Sequence, residues 1–569
     1  MLTLSRVTAR ASSTTHGQQQ RLFASVSKAP IFASNPHVLE DLEVVRNGDK
    51  QGIEALPPFV VSRERGFLPR QDPMVNLPPQ FKNLDSLLDR MTIHQPAKSS
   101  DPNAERAPGL LALGQFGDAV ESELKVDGPE MKAVKDLLAD PQGRNHLIAA
   151  LFRDYCFAVS SYLLEPTDQA YRKTGKYVPG RKVLPAQLAV PITQLAENLG
   201  HFPFMEYASS YALQNWKVKD PNFKGPAGRL SFDNLELIRA FEDAQGSERG
   251  FILVHVEMVA FTNILISATE DALAAIHADD VKGFENAFER LLGGYQKINR
   301  SMDTMWGRSK NGDYMKFRTF IYGTAPKKGN PMFPEGVVYE GVSEEPQWYR
   351  GESGANDNII PLNDNLLEIV KNFPKNPLTE QLREFRKYRP ASQRDYVNTL
   401  EFRAQDAGVR DFAMRKIDRL TALYILLVEQ NREFRNRHWN FTKEYIIKHT
   451  KFPLATGGSP IIKYLPHNLD VVLRTLEESY ADFTPMDTAE LVTRHGFAGE
   501  ILAKQVEEAG VRAQAQRRVL DREVKELSEA RDGGDNGMAQ QYDTTAVDKV
   551  FQDVKKPPQR GWVGNDGVG

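Results

Sequence analysis

The chain has 569 residues, more than one compact core usually holds, so two folded domains with tails are expected. Its 75 acidic residues nearly balance 72 basic ones, which leaves no broad basic field and argues against a nucleic-acid partner. The single cysteine, Cys156, excludes a disulfide framework, a cysteine zinc site and covalent c-type haem attachment; inside LIAALFRDYCFAV it reads as a small buried hydrophobe.

In chain order, residues 1–44 form a basic leader. Its first acid is Glu40, and Arg6, Arg10, Arg21 and Lys28 lie among many Ser and Thr. Two readings stand: a mitochondrial transit peptide, or an unstructured leader on a cytoplasmic protein. Residues 45–200 mix short extended segments with helices and predict a smaller α/β N-terminal domain, punctuated by Pro57, Pro58, Pro69, Pro73, Pro78 and Pro79. Residues 201–485 read mainly as long helices, with irregular connections between Lys310 and Pro361. The longest apolar run, FILVHVEMVAFTNILISA from Phe251 to Ala268, contains His255, Glu257 and Asn263. Those groups would be costly in a bilayer, so the run predicts a buried core helix and no membrane span. Residues 486–532 form a charged helical extension, either a coiled coil or a lone solvated helix. Residues 533–569 are rich in Gly, Asp and Gln and predict a disordered tail. The fold class is therefore mainly α.

The stretch from Ala422 to Phe452 contains neither glycine nor proline, so nothing breaks a helix there. His438 shares one face of that helix with Phe434, Phe441 and Tyr445. An imidazole among apolar rings suits a haem iron. A satisfied core histidine is the commoner occupant of such a face, and spacing alone does not decide between them.

Several segments, taken together and in order, resemble the indoleamine 2,3-dioxygenase family of haem enzymes. They are RGFLPRQDPMVNLPPQF, LPAQLAVPITQLAENLGHFPFMEYASSYALQNW, FILVHVEMVAF, FRTFIYG with GNP and GVVYEG, GESGANDNIIP, RKYRPASQRDY, FRNRHWNFTKEYI and TGGSP. They span roughly residues 60 to 476. The resemblance implies a small α/β domain over a large all-helical domain holding one haem b. It also implies dioxygen as co-substrate and opening of the indole ring of L-tryptophan to N-formylkynurenine, toward NAD synthesis. The leader and long C-terminal segment look more like fungal members than animal ones, and a monomer is expected.

By the same resemblance, His438 is the proximal iron ligand, with Asp364 and Arg435 as a supporting ion pair. Arg318 takes the substrate carboxylate, a role that suits the planar fork of a guanidinium. Tyr207, Tyr211 and Phe251 hold the indole, as flat apolar walls do. Ser353, Gly354 and Ala355 form a haem-edge loop. Thr456, Gly457 and Gly458 form a closing loop over the substrate amino group, and paired glycines permit its hinge.

The chain departs from the animal pattern at three places. His255 replaces a small distal hydroxyl residue. It is open to four readings: accepting from the indole N–H as the distal histidine of tryptophan 2,3-dioxygenases does, donating to dioxygen, ligating the iron, or resting as a buried histidine bonded to a backbone carbonyl. Asp313 and Tyr314 replace two aromatics, and the acid at 313 is open to two readings: a place near the substrate ammonium, or a simple alteration of the pocket. The connection from Tyr445 to Thr456 is short. The alternatives to a tryptophan dioxygenase are an oxygen-binding haem protein and a dioxygenase for another indole.

Overall fold

The computed structural model describes residues 38–39, 56–96, 106–141, 144–325, 330–373, 384–415, 418–449, 455–456 and 461–532. Most of the leader, the tail after residue 532, Gly457 and Gly458 lie outside the described residues.

The architecture is mainly α. The helices that position the site are α1 (Lys82–Asp89), α2 (Asn145–Thr174), α3 (Ala186–Leu199), α4 (Ser247–Ala260), α5 (Thr262–His277) and α6 (Val281–Asp303). They continue with α7 (Tyr314–Arg318), α8 (Ile359–Leu366), α9 (Ala391–Ala407), α10 (Asp418–Phe441), α11 (Ile461–Ala481) and α12 (Pro485–Asp532). Among the described residues the strands form three two-stranded ladders. β1 (Val38–Leu39) runs parallel to β2 (Val61–Ser62), β3 (Val183–Leu184) runs parallel to β6 (Val338–Tyr339), and β4 (Trp216–Val218) runs antiparallel to β5 (Leu235–Leu237). The smaller α/β domain expected at the N-terminus does not stand out as a unit with its own sheet. Its helices α1 to α3 join a core that is continuous with the rest, and β3 pairs with a strand more than 150 residues away in sequence.

Two stretches, Asn145–Thr174 and Ser247–His277, are long and apolar enough to cross a bilayer, but 94% and 67% of their apolar windows are buried inside the fold. Both are core helices, as expected for the run containing His255. α2 stops at Gly175, whose φ of 70° is left-handed and whose N–H caps the Tyr171 carbonyl. Cys156 is fully buried in α2, and burial pushes its thiol pKa up.

α10 packs between α6, α11 and α12. It begins at Asp418, four residues before the sequence suggested, and passes at Thr442 into a wider π-helical turn ending at Ile447. Tyr445 fixes that turn by donating its hydroxyl to the Ser309 carbonyl at 2.5 Å.

α12 is not a lone solvated helix. It bends at Gly496 (φ 56°) and lies back on α10 and α11, burying Leu491, Val506, Ala509, Ala513 and Leu520. Its charges meet charges: Arg512 pairs with Glu429 at 2.7 Å, Arg517 with Glu477 at 2.6 Å, and Lys443 with Glu523 at 2.9 Å. A mixed-charge face reads as solvated in sequence because nothing local shows that its partner is another charged helix.

Candidate haem cavity and substrate pocket

His438 projects from α10. It retains accessible surface, yet protein encloses it so fully that burial, with help from the charges of His255 and Arg435, drops its imidazole pKa to about 4. The lowered pKa favours the neutral ring at physiological pH. One turn earlier, Arg435 grips Asp364 of α8 in a two-pronged ion pair, with Nη2–Oδ2 at 2.6 Å and Nη1–Oδ1 at 3.0 Å. Asn431 donates to the same carboxylate at 2.7 Å. The pair locks α10 to α8 beneath the histidine.

The opposite wall is α4. His255 is close enough for its charge to act on His438. Its Nδ1 lies 2.7 Å from the Phe251 carbonyl oxygen, which can only accept, so Nδ1 carries the proton. Burial lowers the His255 pKa, against the opposing pull of that bond and of Asp357, and leaves Nε2 as a bare acceptor. Around His255 stand Phe251 at 5.1 Å, Tyr207 at 6.1 Å and, beyond Phe251, Tyr314 at 5.2 Å from it, all ring to ring. Tyr207 donates its hydroxyl to Asp357 at 3.0 Å. Tyr211 lies behind this wall and donates to Glu248 at 3.1 Å.

Ser353, Gly354 and Ala355 open the short turn Gly354–Asn356, with the Ser353 hydroxyl accepting from the Ala355 N–H at 3.2 Å. Gly354 faces His255: a Cβ there would stand 4.0 Å from Nε2. Arg389 holds the turn from below by donating to the carbonyls of Asn356 at 3.1 Å, Ala355 at 3.0 Å and Asp357 at 3.2 Å.

Arg318 ends α7 with no exposed surface, its guanidinium 4.8 Å from the centre of the Tyr322 ring and close to Tyr314 and Tyr177. Asp313 is turned away from the pocket. It pairs with Lys316 at 2.6 Å and accepts from Ser247 at 2.8 Å; burial raises its pKa, but these two bonds outweigh it and hold the carboxyl below its usual range. Asp313 is therefore not placed near a substrate ammonium, because α7 starts at Tyr314 and swings residue 313 toward the start of α4. Thr456 donates its hydroxyl to the Glu352 carbonyl at 2.5 Å.

A metal that brings its own equatorial donors fits this cavity. Among the described residues no three His, Cys, Asp or Glu side chains converge as a ligand set for a bare ion. A single neutral imidazole is what a porphyrin iron requires from the protein. The chain matches the family profile described as "Indoleamine 2,3-dioxygenase" over residues 55–458. The chain belongs to the indoleamine 2,3-dioxygenase family. Its members are haem-dependent dioxygenases, and the protein is an oxidoreductase of that kind acting on a small molecule.

Among relatives, the chain is 30% identical to rat "Indoleamine 2,3-dioxygenase 1" over 52% of its own length and 74% of the relative's. It is 29% identical to human "Indoleamine 2,3-dioxygenase 2" over 52% and 73%. It is 23% identical to "Indoleamine 2,3-dioxygenase nanC" of Aspergillus nanangensis over 75% and 98%.

Four residues of this indoleamine 2,3-dioxygenase family member escaped the sequence reading: Asp357, Arg389, Glu248 and Glu352. Asp357, Arg389 and Glu352 lie inside quoted segments but carry no spacing signal, since each matters through a neighbour distant in sequence. Glu248 is fully buried in the first turn of α4 and accepts from the backbone N–H groups of Phe241 at 2.8 Å and Glu242 at 2.7 Å. Burial pushes its carboxyl pKa up to about 8.

Proposed function

We propose that the protein opens the indole ring of L-tryptophan with dioxygen to give N-formylkynurenine, with His438 as the protein ligand of a haem b. The observation that carries this reading is the pair of neighbouring histidines, His438 on a helix braced by Arg435–Asp364 and His255 with Nδ1 held by the Phe251 carbonyl so that Nε2 is a bare acceptor. Haem bound at His438 supplies the iron that activates dioxygen. The chain's own contribution is orientation and a dry pocket. Phe251, Tyr207 and Tyr314 offer flat walls to an indole, and Arg318 offers a charged end for a carboxylate.

The tautomer of His255 bears on its candidate roles. With Nδ1–H committed to the Phe251 carbonyl, Nε2 accepts a hydrogen bond and does not donate one. That suits an indole N–H and does not suit polarising dioxygen, which favours the dioxygenase reading over oxygen storage. The same bare Nε2 would also suit a bound iron, so the tautomer does not separate that role from acceptance of an indole N–H.

The test is anaerobic reduction of the haem-loaded protein, addition of L-tryptophan, then air and product analysis. N-formylkynurenine over many turnovers is expected. Tryptophan recovered intact while another indole is consumed would leave the reaction class standing and overturn the amino acid as substrate. No indole consumed would overturn both.

A further inference from the structure

Glu352 lies where three segments of the fold cross. Its carbonyl accepts from Thr456, and the preceding Gly351 runs so close to residues 321–323 that a Cβ there would stand 2.4 Å from the Gly323 nitrogen and the Ile321 oxygen. The backbone is thus pinned beside the end of α7, where Arg318 sits. The Glu352 side chain is 3% exposed, and among the described residues no group donates a hydrogen bond to its carboxylate and no cation pairs with it. Its charge acts instead on the hydroxyls of Tyr207, Tyr211 and Tyr314, which places it within the pocket's tyrosine wall. Burial pushes its pKa up to about 8.

A buried carboxyl without a partner is costly unless something satisfies it. The other buried acids of this region are satisfied: Glu248 by Tyr211 and two backbone N–H groups, Asp357 by Tyr207 and the Ile359 N–H at 2.7 Å, Glu242 by Lys316 at 3.5 Å. Glu352 alone of these four is left open among the described residues, and its backbone runs beside the segment that follows Arg318. We infer that Glu352 is the cation-recognition residue of the pocket and selects indoles that carry a primary ammonium group. The inference rests on the pocket being the indole site proposed above. In the empty pocket burial favours the protonated acid, and an arriving ammonium group supplies the counter-charge that returns Glu352 to the carboxylate; with Arg318 the pocket then has one group for each end of a zwitterion.

The experiment is a titration of the haem-loaded protein followed by its Soret absorption, with four indoles: L-tryptophan, tryptamine (amine only), indole-3-propionate (carboxylate only) and 3-ethylindole (neither). Wild-type protein is expected to bind tryptamine about tenfold or more tightly than 3-ethylindole, a comparison that needs no variant. Glu352→Gln is expected to weaken L-tryptophan and tryptamine by about tenfold and to leave indole-3-propionate unchanged or tighter. If all four ligands weaken equally, or the wild type does not favour the amine, the assignment of Glu352 is overturned while the indole pocket stands. If the wild type binds none of the four, the indole pocket fails and the assignment fails with it.

Discussion

At the residue scale the site depends on single side chains whose chemistry is set by their enclosure. His438 keeps accessible surface, yet the protein around it lowers its imidazole pKa to about 4, which favours the neutral ring, the form that ligates iron. His438→Ala is expected to abolish tight haem binding; a variant that keeps the wild-type Soret band would refute the ligand assignment. Arg318 has no exposed surface and is ringed by tyrosines, so its guanidinium is held ready for an anion in a poorly hydrated place. Arg318→Ala should weaken L-tryptophan binding by about tenfold or more through loss of a charge-assisted contact, and an unchanged affinity would remove Arg318 from that role. His438, Arg318, Phe251 and Tyr207 were legible because the family pattern fixes them one by one. For Asp313 the same route left two readings open: matching a position says which residue stands there, and only the fold at the start of α7 shows that its carboxylate meets Lys316 and Ser247.

At the element scale α10 is held on two sides. Inside, Arg435–Asp364 ties it to α8; outside, α12 ties it through Glu523, which accepts from the Trp439 indole N–H at 3.0 Å and from Lys443 at 2.9 Å. Trp439 is the residue next to His438 and is almost fully buried, so α12 bears directly on the orientation of His438, the iron ligand proposed above. Glu523→Ala is expected to lower stability by about 1 kcal/mol, a figure reduced by the partial exposure of Glu523, and to speed transfer of haem to an acceptor protein. A haem transfer rate equal to wild type would mean that α12 adds stability without positioning the ligand. The helical character of residues 486–532 was plain from the sequence. Its docking was not, because the buried positions Leu491, Val506, Ala513 and Leu520 are thinly spaced among charges.

At the scale of the whole molecule, the core encloses acids that are costly to ionise. Glu248 has a folded pKa near 8, well above the roughly 4.3 of an unfolded glutamate. A raised pKa means that its protonated form favours the folded state: the contribution is complete below about pH 4 and is lost as pH rises through about 8. Glu248→Gln keeps an oxygen for the two backbone N–H groups and has no charge to form. The melting temperature of the wild type relative to this variant is therefore expected to fall between pH 5 and pH 9. A difference that stays constant over that range would show that Glu248 does not titrate there. Glu352 titrates in the same window but is common to both proteins, so the comparison isolates Glu248.

The sequence by itself determined the mainly helical class, the core placement of the run containing His255, the helix that carries His438 and the family to which both belong. These follow from local properties: apolar periodicity, the absence of helix breakers, and motifs in order along the chain. Tertiary structure alone decided that His255 presents Nε2 as an acceptor, that Asp313 faces Lys316, that Glu352 is left without a partner, and that the charged extension clamps α10. Each of these depends on which groups from distant segments arrive at hydrogen-bonding distance. Burial and charge pairing are set by those encounters, and no spacing within one segment encodes them.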